Sequence, residues 1–314
     1  MAMTTNLEKL RSLFGEHLQE NVRLAHYTTA HVGGLADGLL IAQSSEDLAR
    51  FASELWKLEI PFHILGTGAN VLVSDKGYRG VIIINHAHTI KVDTRSTPPS
   101  IWAESGANIG TVARMAMLRG LSGLEWAATV PGSVGGAVYG NAGAQGSDMS
   151  ANFVLAEILH RRLGRQQWDA SQMHFAYRST ILKRDPGQVV ILAARMQLHH
   201  GEREAIQAKM SVFAEKRRNT QPPGASMGSM FKNPPNDKAG RLIEAAGLKG
   251  TRVGGVVVSE IHANFFVNEA DATAQDYFDL IQLVKKTVFE KSGVQLELEV
   301  ELLGEWESNP GGPA

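Results

Sequence analysis

The sequence predicts an α+β fold made of more than one domain. Three observations carry this. A strand-like stretch, residues 61–65, runs into Gly66-Thr67-Gly68-Ala69-Asn70, and no helix begins after it. The turn therefore lacks the G-x-G-x-x-G and helix start of a doubly wound dinucleotide fold. Strand-like stretches then recur at 100–103, 153–159 and 189–198, and the chain closes on Leu296-Glu297-Leu298-Glu299-Val300-Glu301-Leu302, a strict period-2 alternation.

The elements follow in order. Ser44 begins a helix to about residue 58, with Asp47 in the capping-box position and Leu48, Phe51, Ala52 and Leu55 as its apolar stripe. After the 66–70 turn come a short strand at 71–73, a turn at Asp75-Lys76-Gly77 and a strand at 81–84. Thr97-Pro98-Pro99-Ser100 is a turn, and a helix is expected over 108–119. Residues 202–218 form an amphipathic helix with Ile206, Met210 and Phe213 on one face, and Gln221-Pro222-Pro223-Gly224 marks a boundary. Asp237 is expected to cap a helix that ends at Gly247, a C′ glycine. Val256-Val257-Val258 reads as a buried strand, and a helix over 273–291 is ended by Gly293. The tail from 306 to 314 is expected to be disordered.

Composition bounds the function. At 314 residues the chain has room for two or three domains. A hydrophobic content of 43% and a net charge of −1 give no bulk attraction to nucleic acid or an anionic membrane. The one basic cluster, Lys216-Arg217-Arg218, reads as a solvated helix end. No cysteine is present, which removes disulfides, thiolate catalysis and cysteine-ligated metals. The first 14 residues lack the apolar segment of a secretory leader, and no apolar run approaches a membrane span. A cytoplasmic protein with no obligate protein partner is expected. No histidine and carboxylate pair has metal-ligand spacing, so no metal is expected.

The chemistry starts from residues 131–146, where glycine stands at 132, 135, 136, 140, 143 and 146. So few side chains are expected to build no core. Bare backbone can approach a ligand closely, and its N–H groups form a nest for phosphate. Two such loops, 66–70 and 131–146, can clamp the two phosphates of one pyrophosphate. Tyr177-Arg178 sets a guanidinium beside an aromatic ring, suited to a carboxylate or phosphate. Ser229 lies in a small-residue turn, Gly228-Ser229-Met230-Phe231-Lys232-Asn233-Pro234, outside any hydrolase context. Glu297, Glu299 and Glu301 share one face of the last strand, and the lone His262, in the same 258–265 stretch as Asn264, reads as structural.

Taken in order, these segments resemble the UDP-N-acetylenolpyruvoylglucosamine reductases (MurB) of peptidoglycan synthesis. The matching stretches are Tyr27-Thr28 with residues 33–37, residues 66–70 with Asp75, and 123–146. Further on come Tyr177-Arg178-Ser179 and residues 228–234, 258–268 and 293–304. No tyrosine-bearing insertion follows Arg178, so the chain resembles the shorter form of the family. It departs from the family's pattern at Gly140, Ala225 and Glu301.

The resemblance implies a two-part FAD-binding region of vanillyl-alcohol-oxidase (PCMH) type, residues 1–88 and 89–205, and an α+β substrate-binding domain, 206–305. It implies noncovalent FAD held by Gly66, Thr67, Gly68, Ala69 and Asn70, by Pro131, Gly132, Ser133, Gly135 and Gly136, and by Asn141, Ala142 and Gly143. NADPH is the implied hydride donor and a UDP-sugar enolpyruvyl ether the substrate. Hydride goes from flavin N5 to the terminal carbon of the double bond. Arg178 stabilises the charge that spreads into the carboxylate, a protonated Glu299 lies by that carboxylate, and Ser229 delivers the final proton. Tyr177, Lys232, Asn233, Arg241 and Lys249 are the implied substrate contacts. The alternative is another noncovalent FAD oxidoreductase of the same superfamily.

Overall fold

The middle of the chain forms a five-stranded sheet in the order Gly164–Asp169, Phe153–His160, Val189–Gln197, Ser100–Glu104, Ile90–Asp93, with every neighbouring pair antiparallel. In this computed structural model residues 2–306 are described, with side chains from residue 7. The described residues divide into two units. One holds those of 1–39, 68–82 and 220–314; the other holds 40–67 and 83–219.

The five-stranded sheet belongs to the second unit. Alternate residues of its strands, among them Ile101, Ala103, Ile158, Ala194 and Met196, pack on Ile109, Val112, Ala113 and Ala116 of the helix Ile109–Leu118. Asn108 caps that helix by accepting from the Thr111 N–H. The helix Ser45–Lys57 is capped by Ser44 through the Asp47 N–H, and its stripe Leu48, Phe51, Ala52 and Leu55 is buried as expected. The buried carboxylate of Glu104 accepts from the N–H groups of Ser45 and Thr89, both at 2.8 Å, and so ties that helix start to the entry of the Ile90 strand.

The glycine run corrects one expectation. Residues 131–146 do contribute to the core: Val134–Gly140 is a short helix that buries Val134, Ala137 and Val138. Three apolar residues at helical spacing suffice, because the glycines between them leave the other face bare. The helix Arg203–Thr220 buries Ile206 and Met210, with Phe213 half-buried.

In the first unit, Gln19–Arg23 pairs antiparallel with the start of Leu35–Ala42, and Val71–Val73 pairs in parallel with Glu301–Leu303. A three-stranded antiparallel sheet, Arg252–Val253, Val256–Val258 and Phe266–Asn268, packs with Ala239–Ala245 and Ala274–Ser292. The long helix has a Thr273–Asp276 capping box, and its first N–H groups, Ala274 and Gln275, also donate to the Asp75 carboxylate at 3.0 and 2.9 Å. Gly293 ends it in the left-handed region.

Two further expectations change here. Asp237 does not cap the helix Ala239–Ala245. It holds Arg241 instead, and the Asn233 side chain accepts from the Ala239 N–H at 3.0 Å. The closing segment is no single strand: only Glu301–Leu303 pairs as one, while Leu298 makes an isolated bridge to Phe231. The segment changes partner at Val300, so the alternation breaks, with Leu302 exposed and Leu303 buried. Trp306, placed in the expected tail, stacks on Phe278 with ring centroids 5.1 Å apart; the rest of that tail, 307–314, lies outside the described residues.

Candidate active site

In the second unit the structure brings the two glycine-rich loops together. Gly66 sits so close to Ser133 that a Cβ on it would lie 2.4 Å from Ser133 Oγ. Along the second loop, a Cβ at Gly132, Gly140 or Gly146 would meet nothing within 4 Å, so the run borders open space. Part of the expected nest is already used. The N–H of Val134 donates to Ala107, that of Gly135 to Ser105, and that of Gly136 to the Ser133 hydroxyl.

The same loop braces the turn that holds the candidate arginine. Asn141, buried and left-handed at φ 46°, donates from Nδ2 to the Ala176 carbonyl at 3.0 Å and accepts at Oδ1 from Ser150 N–H at 3.1 Å. Its carboxamide thus braces the tight turn Ala176–Ser179, where each of those two residues donates to the other's carbonyl. Arg178 occupies that turn with φ 54°, a region that costs a non-glycine residue about 1 kcal/mol or more. Its Nη2 donates to Gly143 O at 2.8 Å, and its guanidinium lies 5.4 Å from the centre of the exposed Tyr177 ring. Arg178, Asn141 and Gly143 are therefore one packed group.

In the first unit, Gly68 has φ +62°, and a Cβ there would lie 2.0 Å from Tyr27 O. Thr29 donates its N–H to Gly68 O at 3.2 Å and its hydroxyl to Ser226 O at 2.7 Å. This ties the 68–70 loop to the segment leading to Ser229. Ser229 makes an isolated bridge with Phe265. The next peptide, Met230, donates to Asn264 O and accepts from Glu299 N–H at 2.9 Å, and Lys232 N–H donates to Glu297 O. Ser229 and Glu299, both half-buried, thus belong to one hydrogen-bonded assembly. Asn70 joins it through the Glu299 carbonyl.

The expected substrate cations are paired. Lys232 contacts Glu297, Lys249 contacts Glu244 at 2.8 Å, and Arg241 forks onto Asp237. The Arg241 hydrogen bonds, with help from Lys238 N–H, hold the Asp237 carboxyl down at about 2. Among the described residues no helix is long and apolar enough to cross a membrane, and no group of three or more histidines and carboxylates is arranged to hold a metal ion.

Bare backbone at Gly66, beside a loop that borders open space, is the form a phosphate needs. Residues 36–162 match the family described as FAD binding domain, and residues 220–303 match UDP-N-acetylenolpyruvoylglucosamine reductase, C-terminal domain. A UDP-N-acetylenolpyruvoylglucosamine reductase of Bacillus velezensis is 42% identical over 305 residues, spanning 96% of this chain and 99% of the relative. The chain belongs to the UDP-N-acetylenolpyruvoylglucosamine reductase family. The enzyme of that name from Bacillus subtilis is 42% identical over 90% of this chain and 93% of its own length. The solved structure of the Thermus caldophilus reductase is 34% identical, covers 90% of this chain and 98% of its own, and superposes with a TM-score of 0.77.

Membership in this FAD-dependent reductase family sits with the glycine loops described above. Sequence reading alone passed over Thr29, Asn264 and the bracing role of Asn141. Thr29 stands directly after the Tyr27-Thr28 pair, and Asn264 lies inside the 258–268 stretch. Their partners are up to 197 residues away in sequence, which no local pattern reveals.

Proposed function

We propose that this chain reduces UDP-N-acetylglucosamine enolpyruvate to UDP-N-acetylmuramate for peptidoglycan precursor synthesis, with NADPH as the electron source. The observation that carries this is the 42% identity with a reductase of that name along essentially the whole of both chains. Residues 66–70, 131–136 and 141–143 would hold FAD noncovalently, and the bound flavin would supply hydride for the terminal carbon of the enolpyruvyl double bond.

The protein's own groups then manage charge and proton. Hydride addition leaves an electron pair at the carbon that bears the carboxylate, and it delocalises into that carboxylate. Arg178, pre-set in its turn, stabilises this charge; a fixed guanidinium needs no reorganisation as charge develops. Ser229 Oγ–H gives its proton to the carbon, which completes the saturated lactyl ether. Glu299 lies by the same carboxylate and carries a proton there, because two adjacent carboxylates resist joint ionisation. Tyr177, Lys232, Asn233, Arg241 and Lys249 contact the UDP-sugar. For the three cations this means exchanging a carboxylate partner for a phosphate. In this reading residues 1–88 and 89–205 serve the cofactor, and 206–305 the substrate.

Anaerobic stopped-flow absorbance at the oxidised-flavin band tests the assignment. Bleaching by NADPH followed by recolouring with the enolpyruvyl substrate is expected. Recolouring by oxygen alone would assign a different flavin oxidoreductase. A protein that takes up no FAD would undo the reading of both glycine loops.

A further inference from the structure

Phe231 is buried two residues after Ser229, outside regular secondary structure. A buried residue needs partners for both its backbone N–H and its backbone C=O. One side chain supplies both. Asn264 Oδ1 accepts from Phe231 N–H at 3.0 Å, and Asn264 Nδ2 donates to Phe231 O at 2.8 Å. A carboxamide carries the same donor and acceptor pair as a peptide, so it closes this double contact across the two peptide planes that flank the Phe231 Cα and resists rotation about that residue's φ and ψ. The backbone of Asn264 adds a third bond, its carbonyl accepting from Met230 N–H at 2.8 Å.

Asn264 is itself held. It is 3% exposed, and its N–H donates to His262 Nδ1 at 3.2 Å. That contact leaves the other ring nitrogen of His262 to carry the proton, and burial keeps the ring neutral by lowering its pKa. Next in the chain, Phe265 bridges to Ser229. The side chain of residue 264 and the backbone of 264 and 265 therefore grip the turn at Ser229, Met230 and Phe231.

We propose that Asn264 is the positioning residue of the proton-donor turn, its carboxamide fixing the backbone on both sides of the Phe231 Cα and thereby the place from which Ser229 delivers its proton. This rests on the proton-donor role of Ser229 given above. The chemistry is selective for asparagine. Aspartate accepts from Phe231 N–H but cannot donate to Phe231 O, and alanine does neither.

The test uses FAD-loaded wild type, Asn264→Asp, Ser229→Ala and the double variant in anaerobic stopped flow. For Asn264→Asp, flavin reduction by NADPH should stay within about 2-fold of wild type, while reoxidation by the enolpyruvyl substrate slows about 10²-fold, the scale of a 1 Å misplacement. The double variant should reoxidise no more than about 3-fold slower than Ser229→Ala, because both substitutions remove one function. Wild-type reoxidation in Asn264→Asp, equal slowing of both half-reactions, or additive losses in the double variant would each overturn the proposal. If Ser229→Ala reoxidises at full rate, the proton-donor reading fails and takes this inference with it. A slow Ser229→Ala beside a fast Asn264→Asp overturns the inference alone. If Asn264→Asp does not retain FAD, Asn264→Ala is measured in the same way. Failure of both to fold would refute a role local to the turn.

Discussion

Asn70 Nδ2 donates to the Glu299 carbonyl at 3.1 Å, and Glu301 N–H donates back to Asn70 O at 3.1 Å. A residue of the first glycine loop is thereby fastened on both sides of Val300. Asn70→Ala keeps the backbone bond and loses the side-chain one. A stability loss of about 1 kcal/mol is expected. Reoxidation by substrate should fall more than flavin reduction. Thermal unfolding of the apoprotein and the two half-reaction rates check this, and equal loss in both half-reactions would argue against a hold on Glu299.

Ser229→Ala should leave reduction by NADPH nearly intact and slow reoxidation by about 10²-fold or more, within the range for loss of a positioned proton donor. Glu299→Gln should retain partial activity, since an amide still donates a hydrogen bond. Full wild-type turnover in Glu299→Gln would remove that residue from the chemistry. Single-turnover rates separate the two variants.

Two glycines of the two glycine-rich loops should respond in opposite ways. At Gly68, with its positive φ, a Cβ would strike the Tyr27 carbonyl, so Gly68→Ala should cost more than about 3 kcal/mol or prevent folding. At Gly136, in the short Val134–Gly140 helix, the nearest atom to an added Cβ is Ser133 Oγ at an ordinary 3.6 Å. Gly136→Ala should keep apoprotein stability and weaken FAD binding. Apoprotein melts beside FAD titration by flavin fluorescence distinguish fold from cofactor site; unchanged FAD affinity would take Gly136 out of the site.

Acid should expose the role of Glu104. Burial pushes its carboxyl up, but the bonds from the Ser45 and Thr89 N–H groups outweigh this and hold it below its ordinary value. A depressed carboxylate contributes stability that is present above the unfolded pKa of about 4.3 and is lost as pH falls through the lower folded value. Glu104→Gln should be less stable near neutrality by about 1–3 kcal/mol, since its amide cannot accept from both N–H groups as a carboxylate does. Its unfolding midpoint should also fall less than that of wild type between about pH 5 and 3. Parallel acid dependence in the two proteins would discount Glu104.

What could be read from sequence follows from range. The Ser44 cap, the buried stripe at Leu48, Phe51, Ala52 and Leu55, and the stop at Gly293 are local and were legible. Arg178, Ser229 and Glu299 stood out only through the order of motifs that resemble one family, since each alone reads as an ordinary surface residue. The Asp75 cap on a helix starting at Ala274 was invisible because the donor and acceptor are 199 residues apart. The last strand misled because its alternation is real, yet the segment pairs first with the Phe231 turn and then with Val71–Val73, and a change of partner leaves no mark in composition.

The parallel pairing of Val71–Val73 with Glu301–Leu303 has a consequence for synthesis on the ribosome. Glu299 emerges 229 residues after Asn70, a delay of roughly 10 to 50 s at bacterial-range elongation rates of ~5–20 residues per second. Throughout that interval Val71, Leu72 and Val73, all buried in the finished protein, have no strand to pair with. The five-stranded sheet needs nothing beyond Gln197 and can form while translation continues. The nascent chain thus carries sheets already able to form and one apolar strand still waiting for its partner.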